Sequence, residues 1–244
     1  MKKIFYLAII FILTCTGSVL ADTTTYNLKD VGISVDIPSE YSVFTRETTD
    51  DDPNLQKLGL TKDTVLSYLE SSNMYLCAMP DNKEFEIYIS VVLTDDTIQS
   101  LNELSPEDLE KMYGRIRDNL SKTGLSVSNH SFYENGDKTF IKYFIQQSGA
   151  DYMIHHCTIH NSKTISAMLR TTSGSFTDSQ KNIIDTVAKS IIVPETSVQT
   201  DSTSENVYEP LTAVDYIYQL LPITIILIVA AIVIYHNKKK KQKN

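Results

Sequence analysis

The sequence lacks the short motifs that carry most enzyme chemistry. It has no Gly-x-Ser-x-Gly elbow for a hydrolase nucleophile, no His-Glu-x-x-His zinc motif and no glycine-rich loop for phosphate binding. Only three cysteines occur, and Cys15 lies in an N-terminal apolar segment. The other two, Cys77 and Cys157, can pair outside the cytoplasm or remain separate thiols, and both alternatives stay open. We therefore predict no catalytic, cofactor-binding or metal-binding residues.

Basic residues are scarce between the two ends of the chain. Residues 22 to 213 contain 15 lysines and arginines against 29 aspartates and glutamates, a net charge of −14. A domain with this charge repels nucleic acids and anionic lipid headgroups. We expect no nucleic-acid partner, whereas a cationic ligand or an unknown envelope protein with a basic surface would be attracted. Solubility outside a cell is the simpler explanation of the same charge.

The N-terminal 21 residues have the composition of a secretory signal peptide. Lys2 and Lys3 precede a short apolar run from Ile4 to Leu13, and Val19 and Ala21 suit a cleavage site after residue 21. An uncleaved signal anchor is the alternative. Either way, the sequence predicts export of the residues that follow.

A longer apolar run lies near the C-terminus. Tyr216 to Tyr235 are 20 residues without a charged side chain, and a helix of this length matches a hydrocarbon core of about 30 Å. We predict that residues 214–235 form a transmembrane helix in contact with the lipid bilayer. The tail 236–244 is placed in the cytoplasm by Lys238 to Lys241. Residues 194–213 are poor in apolar side chains and are predicted to be a flexible stalk spanning about 25 Å.

Residues 22–193 are predicted to form one extracytoplasmic α+β domain, an antiparallel meander flanked by helices. Thr61 can cap a helix that runs to about Asn73. Ser105, followed by a proline and two acidic residues, starts a second helix that stops before Gly124. A capping box at Thr177 starts the last helix.

The strands of this domain are predicted from alternating or clustered apolar residues between turns. They are expected at residues 25–30, 33–37, 41–46, 75–79, 85–91, 125–133, 140–146, 152–159 and 164–172. Asp50, Asp51 and Asp52 precede Pro53. Such an acidic run can contact calcium, but it lacks the spaced pattern of a calcium loop, so we predict a solvated loop.

The stretch YMIHHCTIH, residues 152–160, concentrates three histidines and a cysteine. In a strand, His155 and Cys157 share one face, while His156 and His160 share the other. The last two are then about 13 Å apart at ~3.3 Å per residue, too far to share one ion. A zinc site on the first face would need two more ligands from elsewhere in the fold. We therefore interpret these side chains as polar residues of a strand beside a turn.

Four stretches of the chain resemble the PsbP-like (DcrB-like) α/β sandwich domains of bacterial envelope proteins. They are GISVDIPSEYSVFTR, LGLTKDTVLSYLESSNMYLCAM, CTIHNSKTISAMLRT and TDSQKNIIDTVAKSIIV, and together they cover residues 26–193. In the third stretch, Ser162 stands where the family usually has glycine. The resemblance implies a non-enzymatic module that binds or assists partners, and it supplies no catalytic residues.

The sequence therefore predicts a single-pass protein of the cell membrane with its large N-terminal domain outside. Its expected role is a non-enzymatic binding or accessory module of the envelope. The alternative is an extracytoplasmic metal-dependent hydrolase whose ligands include His130, His155 and Cys157. A third hypothesis is a sensor subunit that signals through the membrane helix.

Overall fold

The structure is a computed structural model that describes residues 22–93 and 98–194. The predicted signal peptide (1–21), transmembrane helix (214–235) and basic tail (236–244) lie outside the described residues, as does almost all of the predicted stalk. Among the helices of the described part, none is long and apolar enough to cross a bilayer.

The described residues form nine strands and four α-helices, with short 3-10 turns at Lys29–Val31 and Leu101–Glu103. The strands are β1 (Thr23–Leu28), β2 (Ile33–Pro38), β3 (Ser42–Thr45), β4 (Met74–Met79), β5 (Phe85–Leu93), β6 (Leu125–Asn135), β7 (Lys138–Gln147), β8 (Ala150–His160) and β9 (Lys163–Thr171). The helices are α1 (Pro53–Leu58), α2 (Lys62–Ser71), α3 (Pro106–Lys122) and α4 (Asp178–Ser190).

Seven strands form one antiparallel sheet in the order β3-β4-β5-β9-β8-β7-β6, and β1 and β2 form a separate hairpin. From β6 to β9 each strand pairs with the next one along the chain, as predicted for the meander. β9 then pairs over its whole length with β5, which precedes it by about 75 residues. The α+β class with an antiparallel sheet is therefore confirmed.

Helices cover both sides of the sheet. One side, which we call the α4 face, packs on α4 and on the β1–β2 hairpin through a core that includes Val35, Ile37 and Ile184. The other side, the α2–α3 face, is covered by α1 and α2 over strands β3 to β5 and by α3 over strands β6 to β8. Met153 on β8 packs against both of these smaller cores. The histidine-rich strand is thus an interior strand of the sheet with helices on both sides.

The predicted helix starts agree with the structure. The side chains of Thr61 and Ser105 each accept a backbone N–H from the first turn of α2 and α3. Thr177 and Gln180 form the predicted capping box of α4. Each cap satisfies backbone donors that have no partner inside the helix, which is why the helices begin at these residues.

The loop predicted around Asp50–Pro53 is only partly correct. Asp52 accepts the N–H of Asn54 and caps α1, which spans Pro53–Leu58 and is followed by Gly59 with a left-handed φ of 67°. Proline in the first turn and glycine just past the last turn are a helix signal. The helix was missed because six residues are too few to show an apolar stripe.

The turn between β8 and β9 consists of Asn161 and Ser162, whose φ angles are 51° and 56°. Positive φ at both central residues defines a type I′ hairpin turn. Ser162 therefore adopts a left-handed backbone that costs more for a residue with a Cβ than for glycine.

Candidate functional site

The polar side chains of β8 alternate between the two faces of the sheet, as predicted. His155 and Cys157 lie on the α2–α3 face, and His156 and His160 lie on the α4 face. All four side chains are buried. These four residues bring three imidazoles and a thiol together on one strand inside the described fold. The residues around them decide which reactions they could support.

His155 is held by a tyrosine from the neighbouring strand. Its Nδ1 lies 2.6 Å from the hydroxyl of Tyr143, directly opposite on β7, while its Nε2 is buried without a hydrogen-bond partner. Burial, reinforced by the nearby His156, lowers the pKa of His155 from 6.5 to about 3. The ring is therefore neutral at physiological pH, and its Nδ1 shares a hydrogen bond with the Tyr143 hydroxyl whose direction depends on the tautomer.

The two cysteines are separate thiols. Cys77 and Cys157 are both free and buried. Across the sheet, Cys77 on β4 is opposite Tyr88 on β5, Tyr88 is opposite Met168 on β9, and Met168 is opposite His155 on β8. Strand β8, which carries Cys157, is therefore three strand spacings from Cys77. At ~4.8 Å per spacing, the two thiols are more than ~14 Å apart. Burial raises the pKa of Cys157 to about 11, although a hydrogen bond with the cross-strand Ser166 lowers it in part. The structure thus settles the pairing that the sequence left open.

His130, the third ligand of the hydrolase alternative, lies apart from the other two. It occupies an irregular segment of β6 between Ser128 and Ser131, stacks on Tyr113 of α3 at 3.7 Å between ring centroids, and contacts Glu110 at 3.1 Å. Tyr143 lies between this segment and His155. In the described part of the chain, no group of three or more His, Cys, Asp or Glu side chains is placed to hold a metal ion.

His156 belongs to a four-residue cluster on the α4 face, together with Tyr133, Lys142 and Asp185. Its Nδ1 lies 2.8 Å from the hydroxyl of Tyr133 on β6, and its Nε2 lies 3.1 Å from a carboxylate oxygen of Asp185 on α4. This second contact lacks hydrogen-bond alignment, so Nε2 remains without a satisfied bond. Lys142, the cross-strand neighbour of His156, donates to the same carboxylate at 2.6 Å.

The electrostatics of this cluster favour a fixed ion pair beside a neutral imidazole. Partial burial raises the pKa of Asp185, but His156 and Lys142 outweigh it and lower the value to about 2. Burial lowers the pKa of His156, and the nearby carboxylate opposes this only in part. Burial also raises the pKa of Tyr133. The ion pair of Lys142 with Asp185 joins α4 to the sheet.

His160 lies at the end of β8, next to the turn. Its Nε2 is 3.4 Å from a carboxylate oxygen of Asp137, which also accepts a hydrogen bond from Lys138. Its Nδ1 is buried without a partner. As predicted from strand geometry, His156 and His160 do not meet.

Sequence reasoning missed a second, half-buried charged cluster. Glu86 on β5 and Arg170 on β9 are opposite in register, and their side chains form an ion pair on the α2–α3 face. Tyr88 donates to Glu86 and receives a hydrogen bond of 3.2 Å from Tyr68 on α2. The alternation of β5 shows that Glu86 faces away from the α4 face, but only the pairing of β5 with β9 identifies its partner.

The three aspartates of the acidic loop border a groove of about 380 Å³. Asp50 pairs with Lys62 at 3.4 Å and Asp51 accepts from the hydroxyl of Thr49 at 2.5 Å, while Asp52 caps α1. Each carboxylate therefore has a partner within the loop or the helices it joins, which is compatible with the predicted solvated loop.

No family model and no curated protein matches the chain. Among solved structures, it is similar to the solution structure of cyanobacterial PsbP (CyanoP) from Synechocystis sp. PCC 6803. The identity is 14%, the TM-score is 0.45, and the match covers 74% of this chain and 97% of that one. The likeness is of the PsbP-like α/β kind that the sequence resembles, and it concerns the overall fold alone.

Proposed function

We propose that this chain is a membrane-anchored, extracytoplasmic binding or accessory module of the bacterial envelope, and that it does not act as an enzyme. One observation carries the proposal. The histidines of β8 and the two cysteines, side chains well suited to chemistry, are buried, and His155 and His156 are each held by a tyrosine of a neighbouring strand or one beyond it. The exposed surface is then the part of the molecule that meets partners.

That surface is acidic. The described residues contain 15 basic and 23 acidic side chains, and most of the carboxylates are exposed or half-exposed. Such a surface favours a protein with a basic face or a cationic ligand, and disfavours nucleic acid. The partner is therefore proposed to be an envelope protein that complements this charge.

The metal-dependent hydrolase is not proposed. His155 and Cys157 are on one strand face, but His130 is separated from them by Tyr143 and contacts α3 instead. A neutral histidine with a pKa near 3 and a thiol with a raised pKa are also poor candidates for a general base and a nucleophile at neutral pH. No contact in the described residues favours the sensor hypothesis over simple anchoring.

The anchor is tested on intact cells and membranes. We expect the full chain to remain in the membrane after a carbonate wash and protease applied to whole cells to remove the acidic domain. A variant with Leu227→Arg and Val229→Arg, which places two charges in the apolar run 214–235, should be released by the same wash. Recovery of the unmodified chain in the wash, or protection of its domain from protease, would contradict the proposed location.

The binding role is tested by crosslinking on intact cells followed by identification of neighbours. We expect a reproducible protein neighbour whose yield falls at high salt, because screening weakens contacts between exposed charges. Metal analysis of the purified chain tests the metal-dependent hydrolase alternative, which requires a bound metal ion. Stoichiometric zinc, together with a hydrolytic activity that is lost when the zinc is removed, would refute the non-enzymatic part of the proposal.

A further inference from the structure

The large apolar side chains exposed on the described surface lie at one end of the sandwich. They are Leu93, which is 68% exposed, and Ile192, which is 60% exposed. Leu93 ends β5 opposite Lys163, and the amine of Lys163 donates to the carbonyl of Val31 at 2.8 Å. Ser34 follows Val31 by three residues. Its backbone N–H and C=O bond to the C=O and N–H of Ile192 at N–O distances of 3.0 and 2.9 Å. A short chain of contacts therefore connects the two side chains.

This end is also where the described chain leaves the fold, and we call it the exit end. The chain passes from α4 through the Ile192–Ser34 bridge to Pro194. The opposite end holds Asp22, whose carbonyl accepts the N–H of Ser39 at 2.8 Å. Tyr41 contacts Phe85 there, at the beginning of β5, with 5.8 Å between ring centroids. The two ends of the described chain thus lie at opposite ends of the sandwich.

We propose that the exit end rests on the outer surface of the lipid bilayer, with Leu93 and Ile192 inserted among the headgroups. The inference rests on the proposed anchoring through residues 214–235. Only 21 residues separate Ile192 from that run, and the predicted stalk spans about 25 Å, which holds the exit end at high local concentration over the membrane. Two exposed apolar side chains would bind lipid weakly by themselves, but a tethered domain needs only weak contacts to dock.

The absence of tryptophan from the chain makes the test direct, because one introduced tryptophan is the only indole that reports. Leu93→Trp and Ile192→Trp place the reporter at the exit end, and Glu40→Trp places it on an exposed turn at the opposite end. Each full-length variant is reconstituted in phosphatidylcholine vesicles with and without brominated acyl chains, and its melting temperature is compared with that of the unmodified chain. We expect bromine to quench the two exit-end reporters and to leave the Glu40→Trp reporter unchanged. Adding Leu93→Asp to Ile192→Trp should reduce the quenching.

Carbonate washing of the same vesicles separates this inference from the proposed anchor. A chain that resists the wash but shows no quenching at either exit-end reporter, or equal quenching at all three, overturns the docked orientation and leaves the anchor intact. The absence of quenching is the result expected if a protein partner, rather than lipid, covers the exit end in the cell, because the vesicles contain no such partner. A chain released by the wash overturns the proposed anchor itself.

Discussion

His155 should make the folded domain sensitive to acid. It is 97% buried, its Nε2 has no hydrogen-bond partner, and its Nδ1 is bonded to the neutral hydroxyl of Tyr143 rather than to a carboxylate. Protonation would place an unpaired positive charge in the core, so burial lowers the pKa of His155 from 6.5 to about 3. The perturbation that tests this is His155→Gln, which removes the titrating group and retains a carbonyl that can accept from Tyr143.

The sign and size follow from proton linkage. Above pH 6.5 the imidazole is neutral in both states and costs nothing. As the pH falls towards 3, the unfolded chain binds a proton that the folded chain does not, so the free energy of unfolding decreases. The loss is about 1.4 kcal/mol per pH unit, or about 3 kcal/mol between pH 6.5 and about pH 4.5. This is a large fraction of the 5–15 kcal/mol or so that stabilises an ordinary domain.

The assay is chemical denaturation of the full chain in detergent at about pH 7.5 and about pH 4.5, followed by labelling of the buried thiols Cys77 and Cys157. The decrease in unfolding free energy between the two pH values should be about 3 kcal/mol smaller for His155→Gln than for the unmodified chain. His130→Gln, which removes a half-exposed histidine, is the matched control and should keep the full decrease. Equal decreases for the His155 variant and the unmodified chain would refute the reasoning.

Three further outcomes test other parts of the structure. Asp185→Asn should lower the free energy of unfolding by about 2 kcal/mol, because it removes the carboxylate that contacts Lys142 and His156. The measurement is a denaturant titration at neutral pH. The control is Asp178→Asn at an exposed position, which should change the free energy of unfolding by less than about 0.5 kcal/mol. Cys77 and Cys157 should resist a thiol reagent while the chain is folded and react fully, without reductant, once it unfolds; a disulfide in the purified protein would contradict the sheet register. Ser162→Gly should raise the melting temperature and add about 1 kcal/mol of stability, since it relieves a φ of 56°, and an unchanged midpoint would mean that the turn is unstrained.

Local signals in the sequence predict much of this fold because they act over a few residues. The caps at Ser105 and Thr177 and the alternation of β8 follow from backbone donors and side-chain direction, so the structure agrees with them. The cap of α1 at Asp52 uses the same chemistry. It was missed because the acidic run suggested a loop and the helix has only six residues.

What sequence reasoning missed is non-local. The pairing of β5 with β9 joins residues about 80 positions apart, and nothing in either strand specifies the other. This pairing places Glu86 against Arg170 and separates Cys77 from Cys157. The partner of His156 was missed for the same reason, since Asp185 is on an amphipathic helix whose docking site depends on the whole sheet.

The positions of the two chain ends connect signal cleavage with membrane docking. Asp22 is level with Ser39, while the register of the Ile192–Ser34 bridge brings Pro194 level with Gly32. Seven residues along β2, at ~3.3 Å each, separate these levels by about 23 Å. An uncleaved N-terminal anchor would therefore draw the Asp22 end of the sandwich towards the same bilayer as the proposed C-terminal anchor, and the domain would have to lie on its side. The proposed orientation, with Leu93 and Ile192 facing lipid, therefore requires the predicted cleavage after Ala21.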